Sequence, residues 1–171
     1  MAKEFVAIKL KKLSYADVPA SGLPSAWTDI DVIVDESFEY VMPEESVDPY
    51  INAIDGQAYH IDTSTTGELA INFSIGQYDL ELKAKLQGGT YTAAAVGAEA
   101  TWVPATTKTP IYKAFKAVTQ DGVSIIFPQA RVITGVTKNK SQLALSLKAI
   151  AVTPSDSTLP IEKWGDGAPL S

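Results

Sequence analysis

Hydrophobic and polar residues alternate with a period of two along most of the chain, and this pattern predicts a protein built mainly of β-strands. Residues 5–10 form the first alternating segment, and the pattern continues to Lys11. A loop rich in turn-forming residues follows at residues 19–24. The clearest alternation comes next, at residues 29–42, and it predicts the second strand.

This second strand is predicted to have one apolar and one acidic face. Apolar side chains occupy the even positions from Ile30 to Met42, except at Glu36, and acids occupy odd positions. Successive side chains of a strand point to opposite faces, so a register that continues past Glu36 places four acids together. These acids are Asp29, Asp31, Asp35 and Glu39. A bulge at Glu36 would instead turn Glu39 to the other face.

The middle of the chain predicts a long loop, a strand and a short helix. Residues 43–67 carry prolines, glycines and paired acids, which are typical of a loop, with a turn of helix possible at residues 49–54. Residues 69–75 alternate as a strand. The next segment has strong helix formers between a capping Asp79 and the pair Gly88-Gly89, which favours a short α-helix.

The last third of the chain predicts further strands. Residues 90–110 suggest short strands or loops, and residues 111–132 suggest a β-hairpin. The pair Asp121-Gly122 is preferred in two-residue type I′ turns, which would set Val118 opposite Ile125 and Ala117 opposite Ile126. Residues 143–152 predict a last strand. Its apolar side chains change face near Lys148, which indicates either a bulge or burial on both faces.

The expected fold is mainly β, a sandwich-like or barrel-like domain with one short flanking α-helix. This domain covers residues 1–153, with the long loop at about residues 43–67. The prolines after residue 153 predict an extended C-terminal tail at residues 154–171.

Composition argues against an enzyme. The chain has 171 residues and no cysteine, which removes disulfides, thiolate metal sites and cysteine nucleophiles. His60 is the only histidine and has no cluster of partners, so neither a metal site, nor a catalytic triad, nor any cofactor is expected. Adjacent carboxylates in a strand point apart, which argues against a catalytic pair. No apolar run is long enough to span a bilayer, and residues 1–13 lack the pattern of a signal peptide.

Acidic and basic residues are segregated along the chain. Residues 13–82 contain 14 of the 20 acidic residues and no lysine or arginine. The two signs are normally interspersed on a protein surface. A net charge of −6 also argues against tight binding of nucleic acid. Such a subunit can dock on copies of itself by charge complementarity, or present a negative wall to something that it must not bind.

The order of elements over residues 67–153 carries a family resemblance. A strand ending at Ile75 leads into the helix closed by Gly88-Gly89, and a variable segment with Trp102 follows. The Asp121-Gly122 hairpin then exits through the sequence Phe-Pro-Gln-Ala at residues 127–130, before the final strand. This order resembles the major tail tube proteins of long-tailed bacteriophages, whose relatives include the tube protein of type VI secretion.

The resemblance implies a structural virion protein of the phage tail, assembled in the host cytoplasm and in contact with other tail proteins. Six-membered rings would stack head to tail, and sheets joined across subunits would line a channel that the genome passes without tight binding. The acids that would line this channel are Asp29, Asp31, Asp35 and Glu39. The candidate contacts between subunits are Lys9, Lys11, Trp102, Val118, Ile125 and Phe127.

Other interpretations of the sequence stay open. An acidic strand face is often simply an ordinary solvated face. The tryptophans Trp27, Trp102 and Trp164 lie in loop-like segments, where they suggest a carbohydrate- or cell-surface-binding β-sandwich as an alternative function. A glycosidase that uses two carboxylates is the least favoured reading.

Overall fold

The computed structural model describes residues 9–166, which form one large curled β-sheet, two small two-stranded sheets and one helix. The elements in chain order are β1 (Leu10–Asp17), β2 (Thr28–Ile30), β3 (Glu39–Val41), β4 (Glu44–Ile51), β5 (Ala58–Thr66), β6 (Ala70–Ile75), α1 (Leu80–Gln87), β7 (Thr90–Thr92), β8 (Thr101–Val103), β9 (Ile111–Thr119), β10 (Ser124–Asn139), β11 (Gln142–Ala151) and β12 (Lys163–Gly165). The alternating pattern at residues 5–8 lies outside the described residues.

The expected fold class is confirmed: the protein is mainly β, with a sheet curled into a half-barrel and one short helix. The large sheet has the strand order β2-β1-β9-β10-β11-β6-β3, and β12 pairs with β10 outside this path. Every pairing in it is antiparallel. Over residues 9–166, no helix has the length and hydropathy that crossing a membrane requires.

The curl follows from one segment that hydrogen-bonds to both sides of the sheet. Ile30 pairs with β1, whereas Ile33 pairs with β6. In a flat sheet the partner of β1 on one edge and the partner of β6 on the other edge would be six strand spacings apart, or about 28 Å. The three residues from Ile30 to Ile33 span at most about 10 Å. The sheet must therefore curl until β1 and β6 approach the same segment.

The concave face of the curl holds the core. Tyr15, Phe115 and Phe127 pair across three neighbouring strands, and all three side chains are buried. Phe73 on β6 meets Phe115 edge-on, with ring centroids 5.9 Å apart. The helix adds Leu86, which is fully buried in the same cluster. Full burial of such side chains typically stabilises a fold by about 1.5–3 kcal/mol each.

The prediction of one continuous strand over residues 29–42 is wrong. β2 ends at Ile30, β3 begins at Glu39, and a turn lies between them. In this turn Ser37 N donates to Val34 O at 3.1 Å, and Glu36 has a φ of 58°. The segment has to leave β1 and join β6, which a straight strand cannot do. The four acids consequently do not share one strand face.

Residues 43–67 also differ from the prediction of a long loop. Most of the segment forms the β4–β5 hairpin, which pairs from Glu44 opposite Thr66 to Ile51 opposite Ala58. No helical turn forms at residues 49–54. The sequence did not predict this strand because Pro49 lies within it. Proline is rare in central strands, although edge strands tolerate it.

The tail predicted to be extended after Pro154 instead folds back on the domain. β12 pairs with β10, and Gly22 N donates to the Asp156 carboxylate at 2.8 Å. Farther along, Glu162 accepts hydrogen bonds from Tyr40 Oη at 2.6 Å and from Trp164 Nε1 at 3.1 Å. Burial, helped by the Glu162 carboxylate, raises the pKa of Tyr40. This tyrosine therefore stays a hydrogen-bond donor to the tail at physiological pH.

The predicted helix is confirmed together with both of its ends. The Asp79 carboxylate accepts from Leu82 N at 2.6 Å, and Gly88 N donates to Ala84 O at 2.9 Å. The last strand is also confirmed as β11. It pairs with β10 without a register shift, so no bulge lies near Lys148.

The 111–132 hairpin is confirmed, but its register is one residue away from the prediction. Val118 lies opposite Ser124, and Ala117 lies opposite Ile125. A type I′ turn needs positive φ at two residues, whereas in this turn only Gly122 has it, at 93°. Thr119 N donates to Val123 O at 2.8 Å, so the loop contains three residues rather than two.

We predict that Gly89→Ala destabilises the fold far more than Gly97→Ala. Both glycines have positive φ, which costs an alanine about 1–2 kcal/mol. A Cβ at Gly89 would also lie 2.4 Å from Val103 O, whereas no atom lies within 4 Å of one at Gly97. That overlap should add about 1–3 kcal/mol. Urea unfolding measures both variants, and equal losses would show that the Gly89 contact is relieved without cost.

Candidate assembly surfaces

The hairpin of residues 44–66, here called the arm, lies outside the core. It is a separate two-stranded sheet, and every residue of its two strands is exposed. A lone two-stranded hairpin is only marginally stable in water. The arm therefore has the properties of an element that is completed by contact with another surface.

The two faces of the arm differ in polarity: one is largely apolar but also carries Glu45, and the other is largely acidic and polar but also carries Tyr50. Val47 pairs with Thr63 and Pro49 pairs with Ile61, so these four side chains share a face. The opposite face carries a set of acidic and polar residues. These are Glu44, Ser46, Asp48, His60, Asp62 and Ser64. His60 lies 2.8 Å from the Asp62 carboxylate and belongs to this exposed face.

The tip of the arm, residues 52–57, is an ordered turn that presents an isoleucine. Asn52 N donates to Gln57 O at 2.8 Å, and Gly56 N donates to Asn52 O at 2.9 Å. The Asn52 side chain also accepts from Ile54 N at 3.0 Å. Ile54 is 94% exposed despite this ordering. The turn therefore holds a large apolar side chain in water, beside the Asp55 carboxylate.

The second surface is an unpaired stretch of β10. This strand pairs with β9 only as far as Val132, and from Ile133 to Asn139 it pairs with β11 alone. Within residues 9–166, no strand covers the other side of that stretch. Natural sheets usually protect such edges with charges or proline. Here one charged residue, Lys138, lies on the unpaired stretch, and Ile133 and Val136 are about half exposed.

A cavity of about 340 Å³, here called the groove, lies beside this edge. Its walls come from the end of α1, the segment 102–110 and the start of the unpaired edge. Lys108 and Arg131 are among the lining residues. Gln87 also lines it, and its side-chain oxygen is buried without a hydrogen-bond partner. A buried acceptor of this kind is costly unless a donor reaches it.

Trp102 builds one wall of the groove. Its Nε1 donates to Gly88 O at 2.9 Å, and Lys83 Nζ lies 4.0 Å from the ring centroid. These contacts within the chain fix the position of the indole. Trp102 was predicted to be a contact between subunits, and the structure places it at a surface where such a contact can form.

The other predicted contact residues have different environments. Lys9 and Lys11 are exposed, and Lys9 O accepts from Gln120 N at 2.9 Å. Val118 is half-buried. Ile125 and Phe127 lie in the core of the chain itself, so the structure corrects their assignment to a subunit contact. A strand that is apolar on both faces suggested an interface, but the chain covers these side chains itself.

The four acids predicted to line a channel are dispersed. Asp29 accepts from Ser14 Oγ at 2.8 Å and pairs with Lys12 at 2.9 Å. Glu39 accepts from Asn72 Nδ2 at 3.0 Å. It lies on β3, at the other end of the strand order from β2, which carries Asp29. Asp31 and Asp35 are exposed on the connection between them.

Much of the acidic block is neutralised within the chain. Lysines from other segments pair with Asp17, Asp29 and Glu68 of the body. The arm is different, since no lysine or arginine in the described part of the chain pairs with any of its acids. The acids of the body are thus partly neutralised by lysines, whereas those of the arm are not.

The described residues contain no cluster of three or more histidine, aspartate or glutamate side chains placed to hold a metal ion. No protein-family model matches the chain, and the comparison with curated proteins finds no match either. The arm, the unpaired edge of β10 and the groove are the features of the described residues that bear on function.

We predict that Asp29→Asn weakens the acid sensitivity of the fold. The hydrogen bond and charge of Lys12, with help from Ser14, lower the pKa of Asp29. A lowered pKa stabilises the fold above the unfolded value of about 4, and this contribution disappears as the pH falls through the lowered pKa. The loss should be under about 1 kcal/mol, because the pair is half exposed.

Urea midpoints at neutral pH and at pH values below 4 test this expectation. The variant should be less stable than the natural protein at neutral pH and should lose less on acidification. Asp35→Asn is the matched control, since Asp35 is exposed and forms no ion pair with the other residues of 9–166. If Asp35→Asn had the same urea midpoints as Asp29→Asn at both pH values, the stabilising role of the Asp29 contacts with Lys12 and Ser14 would be contradicted.

Proposed function

We propose that this protein is the subunit of a phage tail tube, which assembles into six-membered rings that stack head to tail. The observation that carries the proposal is the unpaired edge of β10 on a curled, antiparallel sheet. A sheet with one open edge can be extended by a strand of another copy, and repetition around an axis then gives a closed ring. The arm supplies a second contact, which can join one ring to the next.

The charge distribution supports the same function. Carboxylates repel the phosphates of DNA, so acidic side chains repeated around a ring would let a genome pass without binding it. Asp31, Asp35 and Glu39 are exposed and available for such a surface. In this proposal the protein is a structural component of the virion tail, with no catalytic role, and it contacts other tail proteins at the ends of the tube.

The carbohydrate-binding alternative has less support from the tryptophans. A sugar-stacking platform needs an accessible ring face. A lysine lies over Trp102, Lys116 Nζ lies 5.9 Å from the ring centroid of Trp27, and Tyr40 packs edge-on to Trp164. Each indole is thus already engaged by its own chain.

Electron microscopy and sedimentation of the purified protein, over a series of concentrations and salt conditions, test the proposal. The expected result is rings of six subunits and tubes with a continuous central channel. A protein that stays monomeric under every condition would contradict it.

We predict that Val136→Lys blocks assembly without unfolding the subunit. A charged side chain at an open sheet edge is the usual protection against strand addition. Val136 is 50% exposed, so the lysine can reach water in the free subunit. The melting temperature should stay close to that of the natural protein, while rings and tubes disappear in micrographs.

Ile161→Lys is the matched control, because Ile161 is 44% exposed and lies away from the unpaired edge. It makes the same apolar-to-charged change and should assemble normally. If Val136→Lys assembled at the same concentration as the natural protein, this edge would not be the ring contact.

A further inference from the structure

The groove has the features of a binding site for a short turn that carries an apolar side chain. Leu86, Trp102 and Ile111 supply apolar lining, and Pro104 and Pro110 give the segment 102–110 a restricted backbone. The volume of about 340 Å³ lies at the lower end of the range for ligand-sized cavities. A small, compact occupant is therefore appropriate.

The charge of the lining narrows the chemistry of this occupant. Lys108 and Arg131 on the lining favour an occupant with negative charge. The site thus suits a peptide turn with one large apolar residue and neighbouring carboxylates.

The tip of the arm has this combination. Ile54 is almost fully exposed on an ordered turn, and Asp55 lies beside it. Amide side chains from Asn52 and Gln57 occupy the two ends of the same turn. The strands behind the tip carry further acids, Asp48 and Asp62, and neither pairs with a lysine or arginine of the described residues.

The tip does not occupy the groove of its own chain, since Ile54 is exposed. A strand of eight residues such as β4 extends about 26 Å, so the arm can carry its tip to another molecule. The tip needs no refolding to bind, because its turn is already closed by backbone hydrogen bonds. Such preorganisation lowers the entropy that docking would otherwise lose.

We infer that the groove is the receptor for the arm tip of a second copy, with Ile54 inserted against Trp102. This inference rests on the proposed self-assembly and names the pair of surfaces that would join neighbouring subunits. Charge complementarity between the acidic arm and the basic lining selects this occupant over a neutral peptide.

Cysteine cross-linking tests the inference cleanly because the natural chain has no cysteine. One tagged preparation carries Ile54→Cys, and a second, untagged preparation carries Thr107→Cys on the groove wall. The two are mixed under assembly conditions and oxidised, so a tagged–untagged disulfide can form only between different molecules. Ser157→Cys, exposed on the tail, replaces the groove cysteine in the control.

The expected result is efficient cross-linking of position 54 to position 107 and little to position 157. Rings or tubes that form without the 54–107 cross-link would overturn the groove assignment and leave the proposed function standing. Molecules that neither assemble nor cross-link would overturn both. Equal cross-linking to positions 107 and 157 would show random collision and would also overturn the groove assignment.

A charge variant tests the contribution of the basic lining. Lys108→Glu should reduce the 54–107 cross-linked fraction by about two- to fivefold, the usual range for one exposed charge pair. Lys163→Glu makes the same change on β12, away from the groove, and should leave the fraction unchanged. An equal loss in both variants would mean that only net charge matters, and the specific pairing would be wrong.

Discussion

The hydrogen bonding of residues 28–41 to both β1 and β6 is the constraint on which the rest of this structure depends. Because one short segment serves both sides, the sheet has to curl, and its concave face becomes an enclosed core. The same curl brings Tyr40 of β3 beside Phe127, with ring centroids 6.3 Å apart, and beside the returning tail. Glu162 then joins Tyr40 and Trp164, so the closure also fixes residues far away in the chain.

The assembly surfaces are consequences of unequal strand lengths around this curl. β10 has 16 residues and its neighbour β9 has 9, so the edge of β10 continues after β9 ends. The groove forms where β9 is missing, between the open edge and the end of α1. The arm is excluded from the curl for a different reason: it carries carboxylates on one face, and burial of unpaired charges is too costly. Closure of the core is therefore compatible with three unsatisfied features on the same molecule: an open strand edge, a groove and a hairpin outside the core.

Local signals in the sequence predicted the elements that are determined locally. Asp79 and the glycines after α1 marked the helix, and alternation marked β11. Asp121-Gly122 located a turn but not its register, since this pair fits both a two-residue turn and a three-residue loop that ends in a glycine with positive φ. The change of partner between Ile30 and Ile33 is a long-range event that leaves no local pattern. Contacts between subunits were the least predictable part, because Ile125 has the same apolar pattern whether the chain or a partner covers it.

The acidic arm balances two physical demands. Apolar side chains such as Val47, Ile54 and Ile61 give a docking element its contact area, but the same side chains on an open hairpin promote uncontrolled strand pairing. Carboxylates on the opposite face oppose that pairing between two arms, because both arms carry the same sign. They do not oppose approach to a basic groove. Asp17, Asp29 and Glu68 of the body pair with lysines, whereas no acid of the arm pairs with a lysine or arginine of the described residues. The charge of the arm can therefore discriminate between the two encounters. In the proposed assembly, segregation of charge along the sequence would thus become selectivity between surfaces of the folded subunit.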